Sequence, residues 1–219
     1  MDKLAFPGKR IAIIGLGLMG GSLAMSLHGK CDDLFGVDRD PETVKYARKL
    51  NIFTQVATSP EEILAQSNVV ILATPVGTIV NLIQKLPDIH PGSAIVMDIG
   101  STKQEILEAY QALPPRFIPI GGHPMCGKEK SSIAHADPAI FDGAVFALSS
   151  LERTSQEVCE FADQLVRAIG SKPVWVGAET HDRWVALISH LPYLLSLSLA
   201  LATPDDAKTL SGPGYNGMV

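Results

Sequence analysis

Two short segments of the 219-residue chain set reactive side chains in a restricted backbone. In Gly121-Gly122-His123-Pro124-Met125-Cys126-Gly127-Lys128-Glu129-Lys130-Ser131, an imidazole stands between two glycines and a proline. An exposed loop histidine at a strand's C-terminal end suits a proton acceptor, because its ring titrates near neutrality. A lone loop histidine is more often a solvated bystander, so a second polar group beside it matters. Asp98-Ile99-Gly100-Ser101-Thr102-Lys103 ends the preceding strand. Its Ser101 hydroxyl can donate or accept a hydrogen bond at the same edge. No metal is expected: Cys31, Cys126 and Cys159 have neither zinc-ligand spacing nor an even count for a disulfide framework.

A third segment points to a cofactor. Gly15-Leu16-Gly17-Leu18-Met19-Gly20 follows an apolar run and opens a helical stretch. In such a G-x-G-x-x-G turn, Gly15 allows the tight bend, Gly17 lets the backbone approach a pyrophosphate, and Gly20 permits close helix–strand packing. The helix N-terminus then offers free amides and a favourable dipole to the phosphates. Glycine-rich turns are common, and the bland reading is a packing turn with Asp38 as a helix cap. Asp38 weighs against it, because it closes the second strand 18 residues past Gly20, where an acid grips the ribose hydroxyls. Its carboxylate repels a 2′-phosphate, which favours NAD over NADP, although Arg39 beside it offsets part of that repulsion. Thr74-Pro75-Val76 ends another buried strand and lies either over the cofactor or in a plain turn.

The elements that must position these residues alternate along the chain. Strands are expected at 10–14, 34–37, 69–73, 94–97, 117–120, 144–148 and 173–176, and helices at 18–29, from Pro41, and at 155–168. Asp40-Pro41 reads as an N-cap with proline at the first helical position, and Ser59-Pro60-Glu61-Glu62 as a capping box. Uninterrupted apolar strands separated by helices imply a doubly wound α/β sheet. Residues 121–143 read as a long functional loop. Residues 180–202 read as one long helix, apolar over more than one stripe. The organisation expected is a Rossmann domain over 1–178 and the start of an all-α domain over 179–219.

Composition bounds the partners. Hydrophobic residues make up 46% of the chain and charged residues 19%, which excludes disorder. A net charge of −5 without any basic cluster excludes a nucleic-acid binder. The longest membrane-like run, 191–202, is interrupted by Pro192 and two serines and reads as too short to span a bilayer. No membrane partner is expected, and cysteine usage suggests a reducing cytoplasm.

Taken together, the residues resemble the prephenate/arogenate dehydrogenase family of tyrosine biosynthesis. The likeness rests on Gly15 to Ser22, Asp98 to Lys103, Gly121 to Ser131, His181-Asp182 and Ser189-His190-Leu191-Pro192, nearly the whole chain. It implies NAD-dependent oxidative decarboxylation of prephenate, or of arogenate. His123 would take the proton of the ring hydroxyl, and Ser101 would bond the same hydroxyl. Ser189, Tyr193, Tyr215 and Lys128 would line the substrate, although Lys128 stands where the family has a small hydroxyl residue. Tyr193 replaces a histidine common in bacterial prephenate enzymes, which leaves the two substrates open. The family's carboxylate-binding arginine would fall just past Val219, so residues 1–219 are expected to bind NAD yet turn over prephenate poorly. The resemblance also implies a homodimer through the helical domain, with residues 205–219 ordered only by that contact or poorly ordered. The competing readings are a β-hydroxyacid dehydrogenase or imine reductase, and an NAD-sensing domain without chemistry.

Overall fold

The computed structural model describes residues 4–128 and 130–218. The chain divides into two compact units, Met1–Ala178 and Glu179–Val219.

In the first unit, eight strands form one sheet: β1 (Phe6–Ile14), β2 (Cys31–Val37), β3 (Gln55–Ala57), β4 (Val69–Leu72), β5 (Ala94–Asp98), β6 (Phe117–Pro124), β7 (Val145–Ser150) and β8 (Lys172–Trp175). Their order is β3-β2-β1-β4-β5-β6-β7-β8. Pairing is parallel from β3 through β6, antiparallel between β6 and β7, and parallel again to β8. Helices α1 (Leu18–Leu27), α2 (Pro41–Lys49), α3 (Val76–Ile89), α4 (Gln104–Gln111) and α5 (Gln156–Ala168) connect them.

The pleat explains the layering. Ile11, Ile13, Val69, Ile71, Ile95 and Met97 enter one apolar cluster, while Ala12, Ile14, Val70, Leu72, Ala94 and Val96 enter another. Successive side chains point to opposite faces, so an uninterrupted apolar strand needs cover on both. The doubly wound α/β sheet expected from the sequence is therefore present. Asp40 caps α2 by accepting from the amides of Glu42 and Thr43, each at 3.2 Å. The Ser155 side chain accepts from Val158 at the start of α5.

Three local expectations fail. Ser59 caps no helix: its hydroxyl turns to Glu61, and the segment forms only 3-10 turns at Pro60–Glu62 and Leu64–Gln66. The stretch after Ile120 is not all loop, since β6 continues to Pro124 and pairs His123 with Ala147 of β7. Glycines at 121 and 122 permit this. A Cβ on Gly122 would come within 2.7 Å of the Asp98 carbonyl and 2.9 Å of the Phe146 ring.

The third concerns the second unit, built from α6 (Ala178–Val185), a π-helical turn (Ala186–His190), α7 (Leu191–Ala202), a 3-10 segment (Asp205–Leu210) and α8 (Pro213–Asn216). Pro192 does not break the helix. A proline ring strikes the carbonyl four residues back, here Ile188, and the wider π turn around that position makes room for it. Ala178–Ala202 is thus one helix of 25 residues, long and apolar enough by length and composition to cross a membrane. The single long helix expected over 180–202 is present, whereas taking 191–202 as the longest apolar run counted only its second half. Leu187, Ile188, Tyr193, Leu194 and Leu201 are exposed along it. The tail beyond residue 204 also carries helical turns.

Candidate active site

The glycine turn sits where β1 meets α1. Gly15 has φ +98°, a left-handed backbone that favours glycine, and a Cβ there would also meet Thr74 at 2.7 Å. Gly20 lies against the Gly15 carbonyl and Ala73, while nothing stands within 4 Å of a Cβ placed on Gly17. Gly17 is the N-cap of α1 and supplies no side-chain cap, so the first-turn amides face outward for a ligand. Leu16 and Leu18 are buried and Met19 packs on the core, so these three offer a ligand their backbone rather than their side chains.

Asp38 follows β2, the strand beside the turn. Its carboxylate accepts from the Leu16 amide at 2.8 Å and the Asp40 amide at 3.0 Å. A carboxylate has about four acceptor positions, so the ribose hydroxyls retain room after these two bonds. Gly15, Gly17, Asp38, Arg39, Thr74 and Pro75 line part of a cleft of about 530 Å³. The Thr74 hydroxyl is buried with no hydrogen-bond partner among the described residues. Val76 opens α3 behind it. An open glycine, a helix N-terminus, a carboxylate and an orphaned hydroxyl in one cleft fit a dinucleotide.

Ser101 and His123 come next along the same sheet edge. Ser101 is exposed just past β5, and His123 is half-buried near the end of β6. His123 is therefore a strand residue with a fixed backbone, not the exposed loop histidine that its glycines suggested. Beneath both lies a buried ion pair, in which the Lys103 ammonium donates to Asp98 and, at 2.6 Å, to the Gly122 carbonyl. Asp98 also accepts from the Gly100 amide at 2.9 Å. Burial raises the Asp98 carboxyl above its usual range, against the opposing pull of Lys103 and the Gly100 and Gly122 amides. Tyr110, fully buried nearby, is pushed well above the ordinary phenol range by burial and by the Asp98 charge.

The segment after β6 folds back onto α1. Ser22 Oγ donates to the Leu18 carbonyl at 2.7 Å and accepts from the Asp137 amide at 2.9 Å. A Cβ on Gly21 would press on Ile133 and Ala136 at 3.0 Å. Lys128 forms an ion pair with Asp137 at 2.8 Å, and that bond with the Ala139 amide holds the Asp137 carboxyl below its usual range. Asp98, Lys103, Tyr110 and the docking role of Ser22 were missed from the sequence. The available signal was a lysine five residues after an acid that ends an apolar strand.

In the second unit, Ser189 lies in the π turn, Tyr193 is exposed on α7, and Tyr215 lies on α8 with its hydroxyl buried and unpartnered among the described residues. π turns recur at functional sites. His181 Nδ1 lies 2.7 Å from Asp182 Oδ1.

Residues 23–175 match the family model described as the prephenate dehydrogenase nucleotide-binding domain. The chain belongs to the prephenate dehydrogenase family. Residues 177–219 match the family model described as the prephenate dehydrogenase dimerization domain, a match that includes the apolar helix. A curated relative, prephenate dehydrogenase of Bacillus subtilis (strain 168), is 33% identical over 201 residues, 88% of this chain and 53% of the relative. The chain spans about half the length of the curated relatives it matches. Among solved structures, prephenate dehydrogenase of Aquifex aeolicus, in complex with hydroxyphenyl propionate and NAD+, superposes with a TM-score of 0.84. It is 28% identical, covering 96% of this chain and 76% of that one. Arogenate dehydrogenase of Synechocystis gives 0.83 at 30% identity, covering 95% and 77%. The family match removes the competing reading of a β-hydroxyacid dehydrogenase or imine reductase.

Proposed function

We propose that the chain acts in NAD-dependent oxidative decarboxylation of prephenate to 4-hydroxyphenylpyruvate, a step of tyrosine biosynthesis. The observation that carries this reading is the shared sheet edge. The cleft lined by Gly15, Asp38 and Thr74 and the side chains of Ser101 and His123 lie at the C-terminal ends of the neighbouring strands β2, β1, β4, β5 and β6. Open α/β sheets bind ligands at that edge, where strand order reverses.

Bound NAD supplies the hydride acceptor. His123 takes the proton of the ring hydroxyl as the C–H bond of the same carbon breaks, and the alcohol becomes a ketone. Carbon dioxide then leaves from the ring as it becomes aromatic, and its bonding electrons complete the phenol. Ser101 bonds the reacting oxygen and fixes it relative to the imidazole. The first-turn amides of α1 hold the pyrophosphate, Asp38 the ribose diol, and Thr74-Pro75-Val76 the nicotinamide side of the cleft. Lys128, released from Asp137, pairs with a substrate carboxylate, and Ser189, Tyr193 and Tyr215 are the substrate contacts that the family resemblance implies. The protein works as a cytoplasmic homodimer, in which the exposed face of α7 is covered by a second copy.

One observation favours arogenate as a second reading. Tyr193 can give one hydrogen bond where an imidazole could carry charge, which suits a substrate bearing an amine better than a keto acid. The test is reduction of NAD, followed by nicotinamide absorbance at enzyme concentrations near that of the cofactor. Prephenate, arogenate and NADP form parallel arms. Reduction with prephenate supports the proposal, reduction with arogenate alone selects the second reading, and reduction with neither refutes both.

A further inference from the structure

We propose that Lys103 is a positioning residue that sets the spacing between Ser101 and His123. The inference rests on the reading of those two residues as the groups that meet the substrate. Lys103 is the N-cap residue of α4, and both it and Asp98 are completely buried. Its ammonium bridges two strand ends, donating to the Asp98 side chain at the end of β5 and to the Gly122 carbonyl near the end of β6. The Asp98 carboxylate also holds the Gly100 amide. Gly100 immediately precedes Ser101 and Gly122 immediately precedes His123. One ammonium and one carboxylate therefore grip the backbone a single residue before each reacting side chain.

The surrounding packing makes this grip exact in register. A Cβ on Gly122 would collide with the Asp98 carbonyl and Met97, and one on Gly100 with Ile106 at 2.7 Å. The two strand ends touch through bare backbone, and no side chain separates them. A buried ion pair contributes little net stability compared with an apolar pair of the same volume, because desolvation offsets the attraction. What this pair contributes is placement. Removing it lets the strand ends shift, and a displacement of about 1 Å at a reacting group costs on the order of 100-fold in rate.

The test compares Lys103→Met with the double variant Asp98→Asn/Lys103→Met. The single variant strands a buried carboxylate and loses thermal stability. The double variant removes that charge, keeps an acceptor for the Gly100 amide, and recovers its melting temperature. Both are expected to bind NAD as the unmodified chain does, and both to lose about 10- to 100-fold in kcat with KM little changed. Amide hydrogen exchange at residues 121–123 is expected to accelerate in the double variant, a readout independent of turnover. Recovery of kcat together with melting temperature, or unchanged exchange at 121–123, overturns the proposal. Failure of the underlying reading shows separately, as His123→Asn retaining full turnover.

Discussion

Replacing Asp38 with Asn tests the cofactor cleft at one atom pair. Asparagine is nearly isosteric, and its oxygen can still accept from the Leu16 amide that the carboxylate holds at 2.8 Å, so that only the bond from the Asp40 amide is lost. The turn therefore survives while the charge is removed. Unit charges about 4 Å apart repel by about 4 kcal/mol at an effective dielectric near 20. Asp38 is half-buried, so solvent screening roughly halves this, to about 2 kcal/mol or about 30-fold in affinity. The unmodified chain should thus bind NAD more tightly than NADP by at least that factor. Asp38→Asn should close most of the gap, chiefly by gaining NADP affinity, with Arg39 free to meet the 2′-phosphate. Titration calorimetry with each dinucleotide measures this without turnover. Equal affinities in the unmodified chain, or an unchanged ratio in Asp38→Asn, would refute the placement of Asp38 at the ribose.

Three further outcomes are expected. His123→Asn should lose about 10²- to 10⁴-fold in turnover with NAD affinity intact, as read by steady-state kinetics beside calorimetry. Ser22→Ala leaves the Asp137 amide without its acceptor and should cost about 1 kcal/mol, with faster hydrogen exchange over residues 132–137; unchanged exchange there argues against the docking role. Acid should destabilise the first unit through His90, whose ring contacts the Ser67 carbonyl and accepts from the Gly92 amide. Burial, with a smaller push from Arg116, holds His90 below its ordinary range. The folded state then binds fewer protons than the unfolded one. The stability is complete above the unfolded histidine value of about 6.5 and is lost as pH falls toward the lower folded value. Melting temperatures from pH 7 to 5 should fall less steeply in His90→Gln.

What the sequence made legible was local in origin. Residues 69–72 and 94–98 read as strands because their apolar runs have no polar face to expose. Asp40 read as a cap because its partners lie two and three residues away. The turn from Gly15 to Gly20 combined spacing with backbone demands that only glycine meets. The positions of Ser101 and His123 followed from strand ends, but the strand character of His123 depended on β7, whose antiparallel pairing no local pattern announces. Lys103 read as part of a motif only. Its burial comes from Asp98 and from Gly122, 19 residues away, and a lysine in sequence is otherwise a surface residue. Lys128 likewise met an acid nine residues on, in a loop without periodicity. The helix over 180–202 was legible, and Pro192 misled only the count of its apolar run, because a π turn absorbs what an α-helix could not.

The strand order also fixes how the sheet can be assembled as the chain is made. β1 lies between β2 and β4, so its second neighbour is missing until Leu72 has been synthesised. From there each new strand joins the same side, β5 on β4, then β6, β7 and β8. The growing rim is in turn Val69–Leu72 and Ala94–Asp98, both fully buried in the finished fold. Each is briefly an open, apolar strand edge able to pair with another nascent chain. The last strand differs, since Lys172 and Pro173 leave β8 a charged edge poor in donors, which suits a permanent boundary. Every strand is in hand by Trp175, so the aggregation hazard of this fold falls during synthesis of its middle third and has passed before the helical unit emerges from the ribosome.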